Sequence, residues 1–289
     1  MSYRIGGRES TDQRLPQEEG LAGEAGTGRP NSARMYDYFL GGQLHSAQDR
    51  KAAADLSAVW PHMPAFVRAN RRFLGRAVRF IAEQGIDQFL DLGSGLPTAA
   101  NVHEVARQVN PDARVAYTDV DPRTVGHGRN LLAGVPNVSF SASDIRRPSS
   151  VLTAPGVTET LDFTRPLAVT AVATLPCIAD DEEVVAVVNA YRDACPSGSY
   201  LVVSHSSPST VTKEQLRHAY SIMRRELAPV RWRAPEQIEA LLRGYSLVDP
   251  GMVLIPDWRP DADDAADHDP AAANTYGAVG YLASASYSL

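Results

Sequence analysis

The chain has 289 residues, of which 44% are hydrophobic and 21% charged. That length and balance exclude a wholly disordered chain, a collagen and a coiled coil, and they supply a core that needs no staples. Lys+Arg 28 against Asp+Glu 34 leaves a net charge of −6, which argues against a nucleic-acid partner.

Residues 1–29 are rich in Gly, Glu, Arg and Gln and poor in large apolar side chains, and are expected to form a disordered tail. They lack the apolar stretch of a signal peptide. No apolar run in the chain approaches the ~18 residues of a membrane span. Cys177 and Cys195 read as reduced thiols. The expected location is the cytoplasm, with no membrane partner. The sequence does not indicate an oligomeric state.

Order is expected from Pro30. Asn31 and Ser32 can cap a short helix over 34–40, which Gly41-Gly42 ends. Ser46 followed three residues later by Asp49 is a capping-box pattern, opening a helix to about residue 60. A long helix is expected over 63–84. Its apolar stripe runs through Phe66, Phe73, Leu74, Ala77, Val78 and Ile81, with Arg68, Arg72, Arg76 and Arg79 on a solvated face. Asn70 lies on the apolar stripe, so its amide needs a partner, either a neighbouring loop or a ligand. Residues 30–85 are thus expected to be a helical cap or lid.

From there short apolar runs alternate with helical patterns. Strands are expected over 88–92, 114–118, 137–141, 167–174 and 199–204, and helices over 98–109, 122–133 and 180–194. This alternation predicts an α/β domain over 86–289 with a parallel sheet covered by helices on both faces. A helix pair over 212–227 and 235–243 follows. Two apolar segments, 245–255 and 276–283, then read as an antiparallel pair at the sheet edge. Between them, residues 260–274 carry Asp261, Asp263, Asp264, Asp267 and Asp269. They are expected to form a flexible, solvated acidic loop, and no metal centre is expected.

The strongest local signal is Phe89-Leu90-Asp91-Leu92-Gly93-Ser94-Gly95-Leu96-Pro97, where the first strand meets the following helix. Two glycines let the backbone turn tightly and approach a ligand closely. The second strand ends in Asp119-Val120, and Asp119 can accept from both hydroxyls of a ribose. A dinucleotide would want a third glycine, where this chain has Thr98 after Pro97. The pattern suits a nucleoside without a pyrophosphate, and S-adenosyl-L-methionine (SAM) fits. The third strand ends near Asp144-Ile145. The Asp144 carboxylate has two readings, an acceptor for an adenine amino group or a loop cap.

The segments 30–42, 68–73, 89–98 and 101–105, with Tyr200–His205, Trp258-Arg259-Pro260 and 276–280, resemble the actinobacterial S-adenosyl methyltransferase family, first catalogued as a domain of unknown function. The resemblance covers residue 30 to the end. It implies the class I methyltransferase (Rossmann-like) fold, with a seven-stranded sheet of order 3-2-1-4-5-7-6. It also implies a SAM pocket, with Asn70, Asp91, Gly93, Ser94, Gly95, Asp119, Val120, Asp144 and Ile145 as cofactor-binding residues. Two places depart from the family pattern. His45 and Ser46 stand where the family has an Asn and an aromatic residue, and Pro176-Cys177 stand where it has a His and an aromatic residue.

The resemblance implies SAM-dependent methyl transfer and gives no substrate; the leading expectation is a small-molecule acceptor, with secondary metabolism as a setting. The competing reading is a SAM-binding regulatory protein without catalysis, and a nicotinamide oxidoreductase is disfavoured by Thr98. An oxygen or nitrogen acceptor can need its proton removed. His205, at the end of the fifth strand, is a candidate base, with ordering of the Ser206-Ser207 loop as its structural alternative. Tyr36 and Tyr38, on the short first helix, are further candidates beside a packing role.

Overall fold

The computed structural model describes residues 30–98, 100–208, 212, 214, 217, 220–221, 230–262 and 274–284. The expected tail over 1–29 and most of the helix at 212–227 lie outside the described residues, as does the acidic loop beyond Ala262.

Three helices open the chain: α1 (Ser32–Phe39), α2 (Ala47–Val59) and α3 (Met63–Glu83). The predicted caps form. The Asn31 side chain accepts from the Arg34 amide, and Ser46 and Asp49 exchange side chain-to-backbone bonds. Each satisfies amides that the first helical turn leaves unpaired.

The sheet follows, with β1 (Gln88–Leu92), β2 (Arg114–Asp119), β3 (Val138–Ala142), β4 (Ala168–Val172) and β5 (Tyr200–Ser206) all parallel. The helices α4 (Val102–Val109), α5 (Pro122–Leu131), α6 (Pro148–Leu152), α7 (Pro155–Thr160) and α8 (Asp181–Asp193) connect them. The pair α6 and α7 was not legible in the sequence, because each is only five or six residues long and opens on a proline. After α9 (Pro235–Leu241) come β6 (Ser246–Leu247), β7 (Val253–Leu254) and β8 (Thr275–Tyr281). β8 inserts antiparallel beside β5, and β6 and β7 both pair with its outer side. The order is therefore β3-β2-β1-β4-β5-β8-β6. This is the expected 3-2-1-4-5-7-6 arrangement, with the sixth strand broken in two. The break holds Pro250, which has no amide to give to a ladder, and Gly251, whose amide turns back to the Val248 carbonyl.

The core divides by strand parity. Phe89, Val202 and Val279 face a cluster built on α3, α4 and α5, whereas Leu90, Leu201, Val203 and Ala278 face one that includes α7 and α8. A third cluster joins α1, α2 and the start of α3, through Met35, Phe39, Ala53, Leu56, Trp60 and Val67, to Trp232.

Arg76 corrects the expectation of a solvated arginine face on α3. It is buried, and its guanidinium donates to the carbonyls of Ile255 and Trp258 at 2.6 and 2.8 Å. The segment between β7 and the acidic loop crosses α3 and brings those carbonyls in, a contact no local pattern records. Trp258 is fully buried, edge-on to Phe73 and Phe80, and its indole N–H has no partner among the described residues. Trp258→Ala is expected to cost about 3–5 kcal/mol in denaturant unfolding. Trp258→Phe is expected to cost under about 1.5 kcal/mol, because no hydrogen bond is lost with the indole.

Candidate active site

The carboxyl edge of the parallel sheet carries the glycine loop between β1 and α4. Gly93 and Gly95 have φ of +63° and +66°, a region that side chains rarely enter. A Cβ on Gly93 would stand 2.0 Å from Thr174 Cγ2, so this turn has no room for any other residue. Ser94 pins the loop to its neighbours. Its amide donates to the Thr118 carbonyl at 2.9 Å, and its hydroxyl donates to the Asp91 carbonyl at 2.9 Å and accepts from the Thr118 amide.

Asp119 ends β2 facing this loop. One carboxylate oxygen accepts from the Gly95 amide at 3.0 Å, and the other from the Asp121 amide at 2.9 Å. Burial raises its pKa against those donors. Val120 follows, 63% exposed, an apolar surface left open next to a half-buried carboxylate. Asp91 is buried, accepts from the Thr170 hydroxyl, and is pushed up by burial to about 6.

Asp144 is partly buried and held by Arg146, whose Nη2 lies 2.6 Å from Oδ2. That contact keeps the carboxylate below its ordinary range. Ile145 is buried, and its carbonyl accepts from the Tyr191 hydroxyl at 3.1 Å.

The helix α1 lies across this edge. Asn31 donates to Asp121 Oδ2 at 2.9 Å, and Ala33 would stand 3.5 Å from a Cβ on Gly95. The Tyr36 hydroxyl donates to the Val67 carbonyl and accepts from Asn70 at 3.1 Å, and the Asn70 carbonyl oxygen accepts from Ser204 at 2.6 Å. Asn70 thus links the cap to the end of β5, which is the partner its place on an apolar stripe requires. Burial raises the Tyr36 pKa, so this phenol keeps its proton, which it donates to the Val67 carbonyl. Tyr38 faces outward at 36% exposure, with its ring packed edge-on against His45.

Both departures from the family pattern have local structural roles. His45 Nδ1 sits 3.3 Å from the buried carboxylate of Asp37, and Ser46 caps α2. Pro176 lies in the 3-10 turn Leu175–Cys177, and its carbonyl accepts from the Arg231 amide at 2.7 Å.

His205 is corrected by its surroundings. It has no exposed surface; Nδ1 donates to the Ser206 carbonyl at 2.9 Å and Nε2 accepts from Arg233 at 3.1 Å. Both ring nitrogens are used, so the imidazole has none to offer an acceptor's proton. Its position at a strand end suggested chemistry, but the chain folds Arg233 over it. Arg233 also donates to Asp181 and to the Ile178 carbonyl, tying the segment before α9 to the start of α8.

Arg71 was missed by the sequence reading. It lies on α3, and its Nη2 donates to Asn101 Oδ1, the N-cap of α4, at 3.1 Å. Its charge opposes protonation of Asp91, Tyr36 and Tyr117. It stands in the segment 68–73 that carries part of the family resemblance, next to Asn70, but its type and spacing gave it no role. Among the described residues no group of His, Cys, Asp and Glu could hold a metal ion, and no helix is long and apolar enough to cross a membrane.

Burial lowers the His205 pKa to about 4, below the ~6.5 of an unfolded histidine. The unfolded chain therefore binds the extra proton first as pH falls. Stability from this group is intact above about pH 6.5 and declines toward pH 4, by on the order of 3 kcal/mol. His205→Gln keeps an acceptor for Arg233 and cannot titrate. Denaturant unfolding at pH 7 and pH 5 should show a smaller loss for His205→Gln than for wild type, and equal losses would refute the buried neutral imidazole.

The profile of the S-adenosyl methyltransferase family matches residues 19–283. No curated protein matches the chain. Among solved structures, a candidate methyltransferase from Thermobifida fusca is similar at 40% identity and a TM-score of 0.82, covering 89% of this chain and 96% of that one. A DUF574 family protein from Streptomyces avermitilis is similar at 36% identity and a TM-score of 0.83, covering 88% and 97%. With its sheet order, its glycine loop and these matches, the chain belongs to the S-adenosyl methyltransferase family and is a SAM-dependent methyltransferase.

Proposed function

We propose that this chain transfers the methyl group of SAM to a small-molecule acceptor in the cytoplasm, at a site between the glycine loop and α1. The observation that carries this reading is the packing of α1 over the carboxyl edge of the sheet, with Ala33 against Gly95 and Asn31 bonded to Asp121, which covers that edge against a bulky acceptor. The net charge of −6 points the same way, because a nucleic-acid acceptor favours a basic surface.

The residues fit the cofactor. Gly93 and Gly95 let backbone approach the ligand, and we assign Ser94 to holding that loop in place. Asp119 accepts from the ribose hydroxyls, and the exposed face of Val120 lies against the base. Asp144 and the Ile145 backbone serve the adenine edge. Asn70 and Tyr36 hold α1 against the sheet and exclude water. SAM would supply an electrophilic methyl group on a sulfonium, open to in-line attack by the acceptor's nucleophile, with S-adenosylhomocysteine as the neutral thioether leaving group. The chain's contribution is alignment, which is the main requirement of such a displacement. Of the tyrosines, Tyr38 keeps its side chain at the surface and is assigned to the acceptor side.

Asp119→Ala should weaken SAM binding by about 1.5–3 kcal/mol in calorimetry, because a charge-assisted contact is lost, while the unfolding transition persists. Unchanged affinity in the folded variant would reject the ribose site. The acceptor class is tested by incubating the protein with SAM and a cell extract separated by size. Production of S-adenosylhomocysteine should follow the low-molecular-weight fraction, with a methylated product found by mass. Turnover supported only by the macromolecular fraction would overturn a small-molecule acceptor.

A further inference from the structure

The chain leaves β4 through a residue in an uncommon backbone state. Ala173, the first residue after that strand, has φ of +58°. The left-handed region is strained for any residue with a Cβ, and alanine has no polar side chain to offset the strain. Such a conformation persists only where its surroundings enforce it. Two sets of contacts do so here. Toward β1, the Thr174 hydroxyl lies 3.0 Å from the Leu92 carbonyl and 3.2 Å from the Val172 carbonyl, and Thr174 Cγ2 fills the space a Cβ on Gly93 would need. Toward β5, the Ala173 amide donates to Ser204 Oγ at 2.9 Å and to the Ser204 carbonyl at 3.2 Å.

Ser204 does not act alone. It has no exposed surface, and its hydroxyl donates to Asn70 Oδ1 at 2.6 Å. The Asn70 amide nitrogen donates to the Tyr36 hydroxyl, which donates to the Val67 carbonyl, both at 3.1 Å. The run begins at an amide that can only donate and ends at a carbonyl that can only accept. Each hydroxyl and side-chain amide between them takes one bond and gives one. It joins the turn after β4 to β5, α3 and α1. A buried member left without its partner is costly, so removing one link weakens the hold of the others.

The cofactor assignments proposed above run from β3 through β2 to the glycine loop after β1. In the sheet order β4 comes next, so its turn stands beside the reacting end of SAM, on the side from which the acceptor enters. We propose that Ser204 and Asn70 are positioning residues for methyl transfer. They hold the turn after β4 in its left-handed form, and α1 completes that hold through Tyr36. The cap thereby finishes the wall against which the acceptor is aligned. This inference rests on the transferase site assigned above, and its test separates the two.

The test uses the full chain, with SAM titrated by calorimetry. Turnover is read as S-adenosylhomocysteine formed at saturating SAM with the low-molecular-weight fraction of a cell extract. Ser204→Ala should lower turnover by about 10- to 100-fold, the range for a misplaced reacting group, with SAM affinity within about threefold of wild type. Ala173→Gly makes the left-handed turn accessible without that hold. Added to Ser204→Ala, it should restore most of the lost turnover, which a serine with a merely structural role would not show. A folded Ser204→Ala protein with wild-type turnover would overturn the positioning role alone. So would a joint loss of turnover and SAM affinity that Ala173→Gly does not recover. If Ser204→Ala does not fold by itself, the double variant should, and its failure to fold would also overturn the proposal. Wild type that forms S-adenosylhomocysteine with no extract fraction would sink the transferase reading, and the positioning role with it.

Discussion

The backbone turn at Gly93 is the constraint on which the rest of the site depends. The chain leaves β1 at positive φ with Thr174 filling the space a side chain would need. Because that turn is tight, the Gly95 amide reaches the Asp119 carboxylate and Ser94 reaches both Asp91 and Thr118. Three strand ends, β1, β2 and β4, are thereby locked to one loop. A looser turn would separate Asp119 from Asp91 and dissolve the edge at which a parallel sheet offers its ligand site.

The cap is held to this edge by polar groups that are costly to bury singly and are therefore linked. Asp49 has no exposed surface and accepts from the Asn31 amide, the Arg34 guanidinium and the Ser46 amide and hydroxyl. Those bonds fix the start of α1, whose Asn31 and Ala33 then meet Asp121 and Gly95. On the other side, Trp60 of the cap packs at a tilt against Trp232, ring centroids 4.6 Å apart, and the adjoining Arg233 bonds His205 and Asp181. The cap is thus coupled to both the β2 end and the β5 end of the sheet. Removing one partner of such a network costs more than the pair contributes, since the other charge stays buried.

Much of the architecture was legible because it follows from local rules. Five parallel strands read as apolar runs, and the capping patterns at Asn31 and Ser46 fix helix starts within a residue or two. The helix after the glycine loop was placed too early. Pro97 and Thr98 stay outside it, and α4 starts only at Val102, where Asn101 and Glu104 close a cap. The short α6 and α7 escaped because a helix of five or six residues shows too little periodicity to register.

By itself the sequence determined the strand–helix alternation, the glycine loop, the acidic strand end at Asp119 and the family. Each depends on residues adjacent along the chain or on spacing within one element. Tertiary structure alone decided what the polar side chains meet. Arg76 became a buried donor to a distant loop, His205 a neutral residue under Arg233, and Arg71 a charge beside the glycine loop. Their partners lie 182, 28 and 30 residues away in the chain. The role of an arginine or histidine is set by which group folding brings within hydrogen-bond reach of it, and spacing along one helix or strand carries no record of that.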